Sequence, residues 1–321
     1  MDIDREVCCL VHKLGIVGVG RWGSIIAQRI REAGVAEISV IYDLDPSRAS
    51  SLASLTGARV AKDLGDFDRS RDLVGVIIAT SIESLASAAQ VLIEMGHNVL
   101  IEKPVADSLE KARLLRELAE RRGVIAMPGF IVRFDPVSMW VKNYIEKEKE
   151  SLGDLYLYRL NRRPPHARSS SILLDLSIHD IDLARFFIGG DITPISWYIH
   201  NLEVDEGLTL YARHDNGVVY IHTDGFSRYK VRKAIAMFDK SYVEADYIYR
   251  YIIHKKEGEK DYIYRSVRGV EALTNEITAF INKCLGKEVD IPTLRDAEKA
   301  HEVIAAIISK TVVSDVTHKR L

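Results

Sequence analysis

The feature that most constrains this chain is the run Gly18-Val-Gly20-Arg-Trp-Gly23, which stands between an apolar, β-branched stretch (Cys9 to Val17) and a helix-forming stretch (Ser24 to Ala33). Three glycines at this spacing solve one geometric problem. The first permits a tight turn out of a strand, and the second lets a ligand approach the backbone. The third lets the following helix pack closely on the strand, so that its N-terminus faces the turn and attracts anions. A second strand, Glu37 to Tyr42, delivers Asp43 at its end, 20 residues beyond Gly23. A carboxylate at that distance accepts hydrogen bonds from ribose hydroxyls. Together these elements predict a dinucleotide site built from Gly18, Gly20, Arg21, Trp22, Gly23 and Asp43. Asp43 favours NAD by repelling a 2′-phosphate, while Arg48 leaves NADP open.

The alternation continues. Asp72 to Thr80 reads as a strand and Ile82 to Met95 as a helix. Asn98 to Glu102 is a strand, Ser108 to Arg122 a helix, and Val124 to Met127 opens another strand. Strands separated by helices at this spacing imply a doubly wound parallel sheet, in which ligands sit beyond the carboxyl ends of the strands. Ala79, Thr80, Ser81, Glu102 and Lys103 occupy such ends and complete the predicted cofactor set.

After residue 128 the pattern changes. A helix runs from Pro136 to about Glu150 and a strand from Asp154 to Arg163. Alternating segments follow at 194–203, 206–214, 218–227, 230–239 and 241–253, with a hairpin signal at Asp215-Asn216-Gly217. This predicts an α/β protein of two domains, 1–128 and 129–321. The first is a Rossmann domain, and the second an α+β catalytic domain with a large, mostly antiparallel open sheet. Tyrosines 242, 247, 249 and 251 are expected on its exposed face, where a second copy could join to give a dimer or tetramer. An amphipathic last helix, Leu294 to Ser309, is expected to return to the Rossmann side.

Composition narrows the remaining classes. With 321 residues, a formal charge of -2, 47% hydrophobic and 28% charged residues, nothing suggests nucleic-acid binding or a polybasic anchor. No run approaches the roughly 18 apolar residues of a membrane helix, and the acidic start does not fit a secretory signal. Cys8, Cys9 and Cys284 are too few and scattered for disulfides or zinc, and Cys8 and Cys9 read as strand packing. The expectation is a cytoplasmic protein with no metal; a site from His166, Asp175 and His179 would match no recurrent ligand spacing.

Three further motifs carry a family resemblance: Glu102-Lys103-Pro104 after the fifth strand, Gly129-Phe-Ile-Val-Arg133-Phe134-Asp135-Pro136, and Asp175-Leu-Ser-Ile-His179-Asp180-Ile-Asp182. In this order, behind the glycine motif, they resemble the glucose-fructose oxidoreductase/inositol dehydrogenase/MocA-like family from about residue 13 to about residue 312. The later half also resembles the archaeal-type UDP-N-acetylglucosamine 3-dehydrogenase branch, through residues 173–182, Tyr229-Lys230-Val-Arg232-Lys233 and Tyr242-Val-Glu244-Ala-Asp246-Tyr247. Ser81, Leu85 and Phe130 replace the Pro, His and His of many relatives, at positions that shape the nicotinamide and substrate pocket.

The resemblance implies hydride transfer between nicotinamide and a secondary alcohol of a sugar, the C3 hydroxyl of a nucleotide sugar or a hydroxyl of a free polyol such as inositol. It also implies a catalytic group of Lys103, Asp175 and His179. The residue types suit that reaction. Oxidation needs a base of near-neutral pKa, here His179, and a donor for developing alkoxide charge, here Lys103 from the Rossmann side. Asp175, four residues before His179 on a helix, is expected to orient the imidazole. A capping pair or a surface salt bridge would use the same two residues. Arg162, Arg163 and Arg168 lie just ahead and read either as a solvated loop or as a grip on a substrate diphosphate. A catalytically silent dinucleotide sensor is the reading from a different class, and the catalytic trio argues against it.

Overall fold

The computed structural model describes residues 12–70, 72–148, 150–165, 168, 170–200 and 206–318, with side chains to Thr311. Cys8, Cys9 and His166 lie outside the described residues. In chain order the elements are β1 (Lys13–Val17), α1 (Arg21–Ala33), β2 (Glu37–Tyr42), α2 (Pro46–Thr56), β3 (Arg59–Val60), β4 (Leu73–Ile78), α3 (Ile82–Glu94), β5 (Val99–Glu102), α4 (Leu109–Arg122) and β6 (Ala126–Gly129). Then come α5 (Pro136–Glu148), β7 (Leu152–Leu160), a π-helical turn (Leu173–Ser177) leading into α6 (Ile178–Ile188), and β8 (Thr193–His200). Strands β9 (Gly207–His214), β10 (Gly217–Asp224), β11 (Val231–Phe238), β12 (Ser241–Asp246), β13 (Tyr251–Lys256) and β14 (Ile263–Ser266) precede α7 (Ala272–Cys284) and α8 (Leu294–His318).

The first six strands form one sheet in the order β3-β2-β1-β4-β5-β6. The pairs from β3 through β5 are parallel, and most of β1, β4 and β5 is buried, as in a sheet covered on both faces. The order reverses between β1 and β4, so the turns after Val17 and Ile78 border the switch point where such sheets bind ligands. Helix α2 was not expected from periodicity, yet its start carries a local signal. Asp45 caps it, accepting from Ser47 N, and Pro46 fills the first helical position.

The remaining strands form an eight-stranded sheet in the order β14-β13-β12-β11-β7-β10-β9-β8, antiparallel except for the β7–β10 pair. Alternation gives it one covered face, with Leu155, Leu157, Leu210, Ile221, Ala234 and Ala236 buried. The other face carries Tyr156, Tyr158, Tyr211 and Tyr220, whose ring centroids pack 5.0–6.1 Å apart.

The segment 241–253 is two strands, not one. Asp246 Oδ1 accepts from the backbone N–H of Ile248 and of Tyr249, each at 2.8 Å. This side-chain turn reverses the chain before Arg250, whose φ is 55°. Of the tyrosines expected on the open face, Tyr249 therefore sits in a turn. Tyr247 is half-buried, its hydroxyl 3.0 Å from Ser138 Oγ.

The chain divides into two compact units, and both cross the expected boundary at 128. The first runs to Glu102 and includes Glu117–Met127 and Glu276–Ile291. The second contains Lys103–Arg116, Pro128–Asn275 and the chain from Pro292 onward. The segment that returns to the Rossmann unit is thus in α7, where Phe280 fills the space over Gly75; a Cβ on that glycine would lie 2.5 Å from the Phe280 ring. Helix α8 belongs to the second unit, together with Lys103–Arg116 of the segment expected to be Rossmann. It buries Leu294, Ala297, Ala300, Ile304 and Ile307, packs on α6 and β8, and takes Arg113 and Arg116 onto Glu298.

Candidate active site

Each glycine of the first unit's loop has a separate geometric reason. Gly18 has φ 85°, and a Cβ there would lie 2.7 Å from the Ala79 backbone. A Cβ on Gly23 would lie 2.0 Å from Gly18 O, so only glycine lets α1 pack this closely. Gly20 is different. Its φ is −64°, and an added Cβ would approach only Arg48 Nη1, at 3.8 Å. The space beside Gly20 is therefore open for a ligand. Among the described residues no side chain caps α1, and its first turn holds no acid, which leaves that helix terminus suited to a pyrophosphate.

Asp43 braces this loop: Oδ2 accepts from Val19 N at 2.7 Å and Oδ1 from Asp45 N at 2.8 Å. Trp22 Nε1 donates to Glu102 Oε1 at 2.6 Å. Arg21 and Arg48 line an open cavity of about 1050 Å³ that reaches from Gly20 to Ser51 of α2. Ala79 N donates to Val17 O at 2.8 Å, so the ends of β1 and β4 are joined, and Thr80 and Ser81 lead directly into α3. These features fit NAD: an uncapped helix start, a cradle that a Cβ would fill, and a carboxylate at the end of β2. Sequence reasoning missed Glu276. It is fully buried beside Glu102, and burial followed by the Glu102 charge pushes its carboxyl well above the ordinary range.

In the second unit, Lys103 stands before a cis Lys103–Pro104 bond and sends Nζ to Asp175. It donates to the backbone carbonyl at 2.6 Å and to Oδ1 at 3.0 Å. Arg163 Nε donates to Asp175 Oδ2 at 3.2 Å, and Arg163 Nη2 to Ser170 O at 2.6 Å. Lys103 directly follows β5 and is grouped with the second unit. Asp175 lies within the π-helical turn. Such turns offer carbonyls to partners outside the helix and recur at functional sites.

His179 is 8% exposed, and its Nδ1 is buried with no hydrogen-bond partner among the described residues. Burial holds its pKa well below the ordinary histidine value, and Lys103, Arg159 and Arg232 push it the same way. The imidazole is neutral and able to accept a proton. The expectation that Asp175 orients this ring is corrected here. Its two carboxylate oxygens are drawn to two cations, Lys103 and Arg163. The next acids of the segment are held likewise: Asp180 by Arg159 at 2.7 and 2.8 Å, and Asp182 by Arg133.

The arginine loop also differs from expectation. Arg163 is 1% exposed and engaged with Asp175, so it cannot grip a diphosphate. Arg162 is exposed. Arg168 sits 5.4 Å over the Phe226 ring and 3.7 Å from Glu206. Leu85 and Phe130, expected to shape the pocket, are each fully buried. Among the described residues no cluster of three or more His, Cys, Asp or Glu could hold a metal, and no described helix is long and apolar enough to cross a membrane.

Residues 12–130 match the oxidoreductase family with an NAD-binding Rossmann fold, and residues 150–243 match the GFO/IDH/MocA C-terminal domain. The chain belongs to the Gfo/Idh/MocA oxidoreductase family. It is 23% identical to the UDP-N-acetylglucosamine 3-dehydrogenase of Acidithiobacillus ferrooxidans, over 97% of this chain and all of that one. It is 32% identical to an inositol 2-dehydrogenase of Rubrobacter xylanophilus, over 57% of this chain and 54% of that protein. The inositol dehydrogenase matches span little more than half of those relatives' length. A solved structure of the Acidithiobacillus ferrooxidans enzyme superposes with a TM-score of 0.83 at 20% identity, covering 93% of this chain and 97% of that one. Levoglucosan dehydrogenase in complex with NADH and levoglucosan gives 0.83 at 18% identity, covering 93% and 96%.

Proposed function

We propose that this member of the family oxidises a secondary alcohol of a sugar, and that the sugar is a nucleotide sugar such as UDP-N-acetylglucosamine, oxidised at C3. The observation that carries the chemistry is the second-unit cluster, in which a neutral, buried His179 accompanies a lysine fixed by two contacts to Asp175. NAD, held by Gly18, Gly20, Gly23 and Asp43, supplies the hydride acceptor when bound. His179 accepts the hydroxyl proton through its imidazole. Lys103 Nζ holds the substrate oxygen and balances its developing negative charge. Asp175 acts on Lys103, fixing the ammonium group while Arg163 fixes Asp175. The nucleotide sugar is favoured by the UDP-N-acetylglucosamine 3-dehydrogenase match, which spans nearly the whole of both chains.

A free polyol is the second reading, and the 32% identity to an inositol 2-dehydrogenase favours it. Incubation with NAD and a panel of UDP-sugars, free hexoses and inositols, followed by absorbance of the reduced cofactor, separates them. Turnover of UDP-N-acetylglucosamine is the expected result. Turnover of inositol alone moves the conclusion to the second reading, and no turnover of any sugar sinks both.

A further inference from the structure

Arg159 on β7 and Arg232 on β11 are direct cross-strand partners in the second unit. Both lie on the covered face of the sheet, in line with Leu157 and Ala234, which are buried there. Like charges placed opposite one another destabilise a strand pair, and a buried cation without a counter-charge costs more. Arg159 is relieved by its two-pronged contact with Asp180.

Arg232 has no such pairing, and Asp180 and Asp135 act on it only at a distance. Among the described residues its side chain makes no hydrogen bond or ion pair, and its Nε is buried without a partner. Burial and the neighbouring Arg159 pull its pKa down to about 10. Lys230, two residues earlier, is lowered as well, first by Arg232. Asp135, which acts on Arg232 after Asp180, accepts from Val137 N at 2.8 Å at the start of α5.

A cavity of about 130 Å³ opens at this place, lined by Ile131, Asp135, Arg159, Asp180, Leu183 and Arg232. It is several times the ~30 Å³ share of one water molecule. A methionine would fill the position of Arg232 without charge, so folding alone gives no reason for a guanidinium there.

We propose that Arg232 recognises an anionic oxygen group, carboxylate or phosphate, on the substrate, so that the sugar taken by this site is acidic or phosphorylated. The proposal rests on reading the site as a sugar dehydrogenase and narrows its substrate class. It also accounts for the charge around His179. Of the three cations that act on that ring, Lys103 pairs with Asp175 and Arg159 with Asp180, and only Arg232 lacks a partner. An anion on Arg232 cancels one of the charges that disfavour a protonated His179. Binding of the right substrate thereby strengthens the base.

The test is calorimetric titration of the NAD-loaded protein with glucuronate, inorganic phosphate, UDP-N-acetylglucosamine and myo-inositol, for the unmutated chain, Arg232→Gln and Arg232→Lys. At least one anionic probe is expected to bind tenfold or more tightly than myo-inositol. That preference should fall about tenfold or more in Arg232→Gln, the scale of a charge-assisted contact, and survive in part in Arg232→Lys. Glucuronate against phosphate tells which anion the site takes. The proposal is overturned if the unmutated chain prefers myo-inositol, whatever the variants do, or if Arg232→Gln keeps the anionic preference. Failure of the dehydrogenase reading looks different: sugars bind, yet none yields reduced cofactor.

Discussion

The glycine loop of the first unit and the His179 cluster of the second prepare their sites by opposite means. The loop works through backbone. Gly18, Gly20 and Gly23 remove side chains where the chain must turn, open or pack, and Asp43 ties the result down with a bond to Val19 N. The cluster works through side chains brought from far apart. Lys103 reaches Asp175 across 72 positions of sequence, and Arg159 reaches Asp180 across 21. A backbone site tolerates changes of side-chain chemistry but not of volume. A side-chain site tolerates small changes of volume but not of charge. Substitutions that separate volume from charge test this contrast.

The largest effect is expected at His179. General-base catalysis supplies about 10²–10⁴-fold in rate, so His179→Ala should lose turnover on that scale. NAD affinity should stay nearly constant, because the proposed cofactor site is the glycine loop with Asp43. Steady-state kinetics beside NAD titration checks this. Turnover within a few fold of the unmutated protein would give the proton to another group, with Lys103 as the first candidate.

Asp175→Asn comes next, and its consequence differs from what a ring-orienting role implies. The amide keeps the shape but removes the charge facing Lys103 and Arg163. Arg163 is buried, and removing a partner from a buried pair costs about 3–5 kcal/mol. Asp175 is itself partly exposed, which places the expectation lower, near ~2–3 kcal/mol. The measurement is denaturant unfolding together with kcat. Loss of both stability and turnover is expected, whereas His179→Ala should lose turnover alone. A stable, slow Asp175→Asn protein would restore the orienting role.

The two regions were not equally legible in the sequence. The glycine loop, β2 and Asp43 lie within 30 residues, so periodicity and spacing located them and assigned a geometric job to each. Lys103, Asp175 and His179 were found as residues through their motifs, but their pairing was not, because an i, i+4 rule assumes an unbroken α-helix. The π-helical turn and the buried Arg163 changed which partner Asp175 takes. Arg159 and Arg232 gave no local signal; their meeting depends on the β7–β11 register, which the sequence pattern left open. The turn at 247–250 was lost for a related reason. Its tyrosines read as strand, and the decisive group was the Asp246 side chain.

On the volume side, Gly23→Ala and Gly20→Ala should part company. At Gly23 the new methyl carbon meets backbone, which cannot step aside as a flexible side chain does. The cost should be about 1–3 kcal/mol or somewhat above, the range for overpacking, with NAD binding largely lost. At Gly20 the methyl group meets open space and an α-compatible φ. Thermal stability should not fall, yet NAD should bind more weakly. Equal destabilisation by both would mean that Gly20 is structural and that the opening beside it is not the ligand's.

The smallest effect expected is in pH dependence, and it reads the cluster's charge directly. An unfolded histidine titrates near 6.5; His179 in the fold lies well below that. The folded protein therefore binds fewer protons than the unfolded chain in the interval beneath ~6.5. Stability contributed by neutral His179 is fully present above that value, and declines as pH falls from there toward the folded pKa. The acid limb of kcat/KM, which reports the free enzyme, should likewise lie below 6.5. The cations acting on the ring are Lys103, Arg159 and Arg232, and two of them have carboxylate partners that Arg232 lacks. Arg232→Gln should move the limb upward, since one of the cations that disfavour the protonated ring is gone, and Arg232→Lys should leave it near its place. If the limb stays fixed when Arg232 loses its charge, the lowering of His179 belongs to burial with Lys103 and Arg159, and Arg232 has no part in it.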